Sequence, residues 1–301
     1  MTDTTNQTPP NAAAKLPEPQ RAFVGFSLTR TVVIALNTFV EAIRQKVYNI
    51  LLVIALVVIA VVPLFREFDL EGAQIKLVLD GCLGAITVLG LIIAVVGTAQ
   101  LLPREVENRT IYTILAKPVR RVEFLLGKYL GSALVIVMTM LVLVAMSIIV
   151  LVIVQQSIEN RASAPTPEEL PQVIQKLRAQ AYNADLIKCL MLIFVEFLLL
   201  ASITMFFSTF STSMIFNVVM TALVFFAGSM RGAAIDLWGE QKILMMILAI
   251  VPDLSFFNVA DSVVTGKEIT WSHLWDGIAY GVGRSIVFIT AGYLIFTRKE
   301  I

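Results

Sequence analysis

Two ionisable side chains stand where the surrounding sequence is otherwise apolar: Glu196, within Ile193-Phe-Val-Glu-Phe-Leu-Leu-Leu, and Arg284, within Gly281-Val-Gly-Arg-Ser-Ile-Val. A charge at membrane depth is costly unless it is paired or wetted, so the two groups are expected either to form an ion pair between helices or to line a polar cavity. Little other chemistry is on offer. His273 is the only histidine, which excludes His-based metal sites, and no G-x-S-x-G or paired-cysteine zinc pattern occurs. Cys82 and Cys189 fall in apolar stretches, where a free thiol is a small buried hydrophobe. Gly127-Lys128 does not close a phosphate loop, because Tyr129 follows where Ser or Thr is required and Val122 stands where the first glycine belongs. The chain therefore reads as no enzyme, with no catalytic residue, metal or cofactor. Any nucleotide-driven work must be done by another polypeptide.

The elements that position these groups are membrane helices. Of the 301 residues, 57% are hydrophobic and 15% charged, where a soluble domain carries nearer a quarter charged. The formal net charge of +1 gives no reason to expect nucleic acid as a partner. Crossing a bilayer takes about 20 apolar residues in a helix, and that ruler places six spans at about 47–65, 81–102, 129–154, 186–207, 213–230 and 277–297. The polar run Ser208-Thr-Phe-Ser-Thr-Ser213 divides the fourth from the fifth. Residues 1–20 are polar, lack an apolar core and read as a disordered tail; residues 21–301 read as one transmembrane domain. With both termini inside, inner segments carry 13 basic residues and outer segments eight, a bias that favours this orientation. Trp238, Trp271 and Trp275 all fall in the last outer segment, where an indole can sit at headgroup level.

Three further elements flank the spans. Residues 31–46 place Val32, Leu36, Val40 and Ile43 on one helical stripe, with Asn37, Glu41, Arg44 and Gln45 off it, which predicts an amphipathic helix on the inner leaflet. Thr166-Pro-Glu-Glu169 is a capping box that starts a short outer helix. Residues 243–251 are apolar, too short to cross and end at Pro252, so they predict a re-entrant or interfacial helix. Gly127-x-x-x-Gly131 and Gly277-x-x-x-Gly281 permit close helix contact, within the subunit or across a dimer. Asp80 and Lys188 lie at outer span boundaries, where snorkelling is expected.

The richest segment is the charged loop between the second and third spans, 103–131. It carries Arg104, Arg109, Lys117, Arg120, Arg121 and Lys128 against Glu105, Glu107 and Glu123. Thr110 is placed to cap a helix presenting Ile111, Tyr112, Ile114 and Leu115, which Pro118 interrupts and Arg120, Arg121 and Glu123 flank with charge. An apolar knob inside a charged collar suits a docking element.

The run Glu105-Val-Glu-Asn-Arg-Thr-Ile-Tyr-Thr-Ile-Leu-Ala-Lys-Pro-Val-Arg-Arg-Val-Glu-Phe-Leu-Leu-Gly-Lys128 resembles the corresponding loop of type-2 ABC exporter permeases, especially the branch containing NosY. The resemblance is tight over about 25 residues and looser over the whole chain, which also matches in its amphipathic first helix, six spans and Phe-Thr-Arg-Lys-Glu end. It implies an all-α permease subunit in the cytoplasmic (inner) membrane, paired with a second copy or a relative and seated on two separate ABC ATPase subunits. It further implies that a coupling helix in this loop meets the ATPase, through Glu105, Glu107, Arg109, Thr110, Ile111, Leu115, Lys117, Pro118, Arg120, Arg121 and Glu123. Arg109 departs from the glycine that many relatives carry before the threonine. Copper is not expected as cargo, since no Cys- or His-rich site exists and the methionines are scattered. The alternative that Glu196 and Arg284 suggest is an ion-coupled secondary transporter, although its customary internal repeat is not visible.

Overall fold

A computed structural model describes residues 26–68, 74–103, 120–161, 184–238, 251–265 and 267–298. Within them the chain forms α1 (Leu28–Ile43), α2 (Lys46–Val61) with a short 3-10 extension (Val62–Phe68), and α3 (Gln74–Ala99). There follow α4 (Arg121–Arg161), α5 (Ala184–Phe210), α6 (Met214–Ser229), α7 (Arg231–Trp238), α8 (Ala260–Thr265) and α9 (Trp271–Arg298).

Among the described residues five helical segments are long and apolar enough to cross a membrane: Lys46–Phe65, Ile75–Pro103, Arg121–Ser157, Asp185–Phe210 and Trp271–Arg298. The expected fifth span is α6, whose 16 residues reach only about 24 Å at ~1.5 Å per residue, short of ~30 Å of hydrocarbon. Of the six expected spans, five correspond to these long helices and the remaining one to the shorter α6. α3 begins at Gln74, ahead of the expected second span, and Asp80 is exposed in its second turn. The division between α5 and α6 falls where the polar run placed it: α5 ends at Phe210, and Ser213 caps α6 by accepting the Phe216 N–H at 3.4 Å. Hydroxyls near the break are satisfied internally, Ser208 Oγ donating to the Thr204 carbonyl at 2.9 Å and Asn217 Nδ2 donating to Ser208 Oγ at 2.9 Å. The tail 1–20, the outer helix begun at Thr166 and all but the last residue of 243–251 lie outside the described residues.

α5 is apolar all round and forms the axis of the bundle, packing against α9, α3, α4 and α6. Of its most apolar window 61% is buried, against 17% for α2 and for α9, which leave apolar faces such as Val53, Val57, Ile286 and Val287 outward. The core is filled by Leu83, Ile86, Leu143, Leu192, Ile193 and Phe197, from α3, α4 and α5. Both glycine pairs are consumed inside the chain. A Cβ on Gly277 would stand 2.5 Å from Leu192 Cδ2, and one on Gly281 2.3 Å from Val195 Cγ1, so these glycines let α9 run parallel to α5 in close contact. Gly127 and Gly131 do the same for α1, as described below.

Lys188 does not snorkel. Its Nζ pairs with Asp185 at 2.7 Å, donates to the Ile269 carbonyl at 2.7 Å and stands 4.7 Å from the centre of the Trp271 ring. It therefore clamps the segment leading into α9 against the start of α5. Trp271 and Trp275 are both 63% exposed at this end of the bundle, as an interfacial aromatic pair would be.

Candidate functional site

Two places bear on function, one at each level of the bundle: the base of α4, where the charged loop rejoins the helices, and the surroundings of Glu196.

At the base of α4, Glu123 is fully buried. Its carboxylate accepts the Ser27 N–H at 2.7 Å and the Arg120 N–H at 3.2 Å, and Arg30 approaches at 3.8 Å. The first of these bonds holds the N-terminus of α1, where a carboxylate also suits the positive end of the helix dipole. Two residues earlier, Arg121 Nη1 donates to the carbonyls of Phe296 at 2.9 Å and Thr297 at 3.0 Å, and its guanidinium lies 5.8 Å from the centre of the Phe296 ring. That side chain satisfies the last turn of α9, where carbonyls lack helical partners. Phe124 stacks on Phe296 at 6.2 Å between centroids. Glu123 and Arg121, in the first turn of α4, thus bind the beginning of α1 and the end of α9.

α1 runs beside roughly the first four turns of α4 through its small face, Thr31, Ala35, Thr38 and Ala42, all buried. The approach is close because α4 offers glycine there. A Cβ on Gly127 would lie 2.7 Å from Ile34 Cβ, and one on Gly131 2.6 Å from Thr38 Cβ and 2.8 Å from the Ala35 carbonyl. Lys128 is only 2% exposed, reaching Glu41 of α1 at 3.7 Å and lying 5.9 Å from the Phe124 ring centre. The opposite face of α1 leaves Val32, Leu36 and Val40 exposed, which is the stripe seen in the sequence.

Of the residues expected to form the coupling surface, Glu105, Glu107, Arg109, Thr110, Ile111, Leu115, Lys117 and Pro118 lie outside the described residues. Arg120, Arg121 and Glu123 are described. Glu123 does not stand on an exposed collar: its charge is spent within the chain, and Arg121 spends part of its own on α9. Sequence reasoning did not foresee the part taken by Ser27, Arg30 and Glu41. One signal was available, since the small residues 31, 35, 38 and 42 recur at helical spacing and complement Gly127 and Gly131.

Glu196 sits 5% exposed about 18 Å along α5, at ~1.5 Å per residue. It is not joined to Arg284, which stacks its guanidinium 5.5 Å from the Tyr280 ring centre on its own helix. Neither makes an ion pair with the other, so the first of the two expected arrangements is not formed. Glu196 instead lines a cavity of about 300 Å³ bounded by α3, α5, α6 and the segment 254–260. That segment is held in place by the Leu254 N–H donating to the Gly228 carbonyl at 3.2 Å and the Asp253 N–H donating to the Tyr280 hydroxyl at 2.7 Å. Among the described residues no group of three or more His, Cys, Asp or Glu could hold a metal ion.

A family model describing ABC-2 family transporter proteins matches residues 32–301, from within α1 to the end of the chain. No protein of curated function matches the sequence. The match spans the long apolar helices and the α4 base alike, and a domain of this kind is the membrane component of such a transporter, not its ATPase. The chain belongs to the ABC-2 family of transporter membrane proteins.

Proposed function

We propose that this chain is an exporter-type permease subunit, of the branch resembling NosY, that pairs with a second permease subunit and is driven by two separate ABC ATPase subunits. In this reading α6 completes a sixth crossing. Both termini face the cytoplasm, and the host is the cytoplasmic membrane. The loop 103–131 meets the ATPase through Ile111, Leu115 and their charged neighbours.

The observation that supports the coupling role is the architecture at the base of α4. Whatever displaces the loop pulls first on Arg120 to Lys128, and this stretch is fastened to α1 through Glu123 and Lys128 and to α9 through Arg121. α9 in turn packs closely on the central α5. A push on the loop therefore reaches the axis of the bundle through a few short polar contacts and packed helices, which move as units because close-packed cores do not deform smoothly. The exposed apolar stripe of α1 supplies a bearing on the inner leaflet. Family membership favours this reading over an ion-coupled carrier. The test is to replace Ile111, Leu115 and Arg120 together and measure co-purification with the ATPase subunit. Loss of the ATPase with unchanged membrane insertion is expected, and retained binding refutes the docking role.

A further inference from the structure

We propose that the cavity around Glu196 is a binding site for a small amphiphilic molecule bearing a single protonated amine, and that this is the class of compound the permease carries. The second half of the statement rests on the permease reading; the first stands on the cavity alone.

Glu196 is 95% buried, and it makes no hydrogen bond and no ion pair with any described residue, while the Thr87 hydroxyl that lines the same cavity donates to the Leu83 carbonyl at 2.9 Å. An acidic group so enclosed and so unpartnered is costly unless a cation or a proton joins it. The cavity it lines is the right size for a ligand, since about 300 Å³ is the lower end of the range for small-molecule sites. Its walls give the ligand a direction. Ile193, Leu254 and Phe257 around the carboxylate are almost completely buried, which supplies an apolar, desolvated end. Phe225 and Phe226 add ring faces, which attract an alkylammonium group as well as an apolar body. Towards the mouth lie the exposed Ser229 and Asn258.

The charge around the site has the sign that a cation needs. Among the described residues that line the cavity, none is basic. Arg284 lies over the Tyr280 ring and Arg231 Nη1 donates to the Val251 carbonyl at 3.1 Å, and neither lines the cavity. Asp253, next in the chain to the lining Leu254, accepts from the Ser255 N–H and Oγ at 3.1 and 2.6 Å and does not itself line the cavity. An anionic ligand would meet the Glu196 carboxylate with no basic residue in the lining to offset it; a neutral one would leave Glu196 to take a proton instead.

The probes are 4-phenylbutylamine, 4-phenylbutanol and 4-phenylbutyrate, which share one apolar body and differ in charge. Full-length protein in nanodiscs is dialysed to equilibrium against each, with empty nanodiscs measuring partition into lipid. The amine is expected to bind the protein about tenfold or more tightly than the alcohol, with the carboxylate weaker than both. Glu196→Gln keeps the shape of the side chain and should reduce the amine's advantage to about twofold or less. Should that variant fail to fold, Ser229→Lys at the exposed mouth introduces a like charge and should weaken the amine about tenfold while leaving the alcohol unchanged. Equal binding of amine and alcohol, or undiminished preference for the amine in either folded variant, overturns the proposal. Co-purification of the ATPase measured on the same Glu196→Gln preparation separates the two claims: ATPase retained while amine preference is absent defeats the site and leaves the permease reading standing.

Discussion

Replacing Glu123 with alanine should release the start of α1 from α4 without unfolding the bundle. In the native chain this carboxylate is fully buried and receives the Ser27 N–H at 2.7 Å, the Arg120 N–H at 3.2 Å and the partly exposed Arg30 at 3.8 Å. Leaving a buried donor unsatisfied costs about 1–3 kcal/mol, and Ser27 carries most of that. The Arg120 donor belongs to an exposed residue and the Arg30 side chain is 39% exposed, so solvent screening limits these two together to about 1 kcal/mol. The sum is about 2–4 kcal/mol, or roughly a 30- to 700-fold shift in the equilibrium for local detachment at 1.4 kcal/mol per decade. Hydrogen exchange of the protein in nanodiscs reads this directly, because local opening sets the exchange rate. Peptides covering α1 should exchange faster by that factor, while peptides from α5 stay protected. Glu123→Gln keeps one acceptor oxygen and should produce a smaller change. Exchange in α1 unaltered within twofold, or an equal loosening of α5, would refute the reasoning.

Four further outcomes follow from the same contacts. Arg121→Ala should free the final turn of α9 at a cost of about 1–2 kcal/mol, visible as increased mobility of a spin label at position 298 with no change at position 274. Gly131→Val should cost about 1–3 kcal/mol and lower the thermal midpoint, since its side chain would collide with Thr38 and the Ala35 carbonyl; Gly84→Ala, with nothing within 4 Å, should be neutral or stabilising. Lys188→Met should destabilise by about 2–4 kcal/mol, measured by denaturant or heat, because it breaks a buried ion pair and releases the Ile269 carbonyl. Glu196→Leu and Arg284→Leu should have additive effects on stability within about 0.5 kcal/mol in a double-mutant cycle, because the two groups are not paired.

What the sequence disclosed and what it hid divide along physical lines. Long apolar runs, the Ser/Thr break before α6 and the stripe of Val32, Leu36 and Val40 are local signals, read off with a ruler and a helical wheel, and each has its counterpart in a described helix. α6 matches the expected 213–230 to within a residue at each end, with Ser213 and Met230 as its caps, and differs from the other spans only in being 16 residues long. The partners of charged residues were hidden for a different reason. Glu123 and Ser27 are 96 positions apart, and Arg121 and Phe296 175, so only the packing of distant helices reveals that Glu123 is turned inward and Arg121 partly so. Depth alone suggested that Glu196 would meet Arg284. Matching depth does not fix the angle at which a side chain leaves its helix, and Arg284 lies over Tyr280 while Glu196 faces a cavity.

The docking role of the loop is tested most directly by placing a photo-cross-linking amino acid at position 115 in the intact transporter and identifying the adduct by mass spectrometry. An adduct with a nucleotide-binding cassette subunit is the predicted result. Adducts confined to lipid, or to this chain itself, would contradict the account.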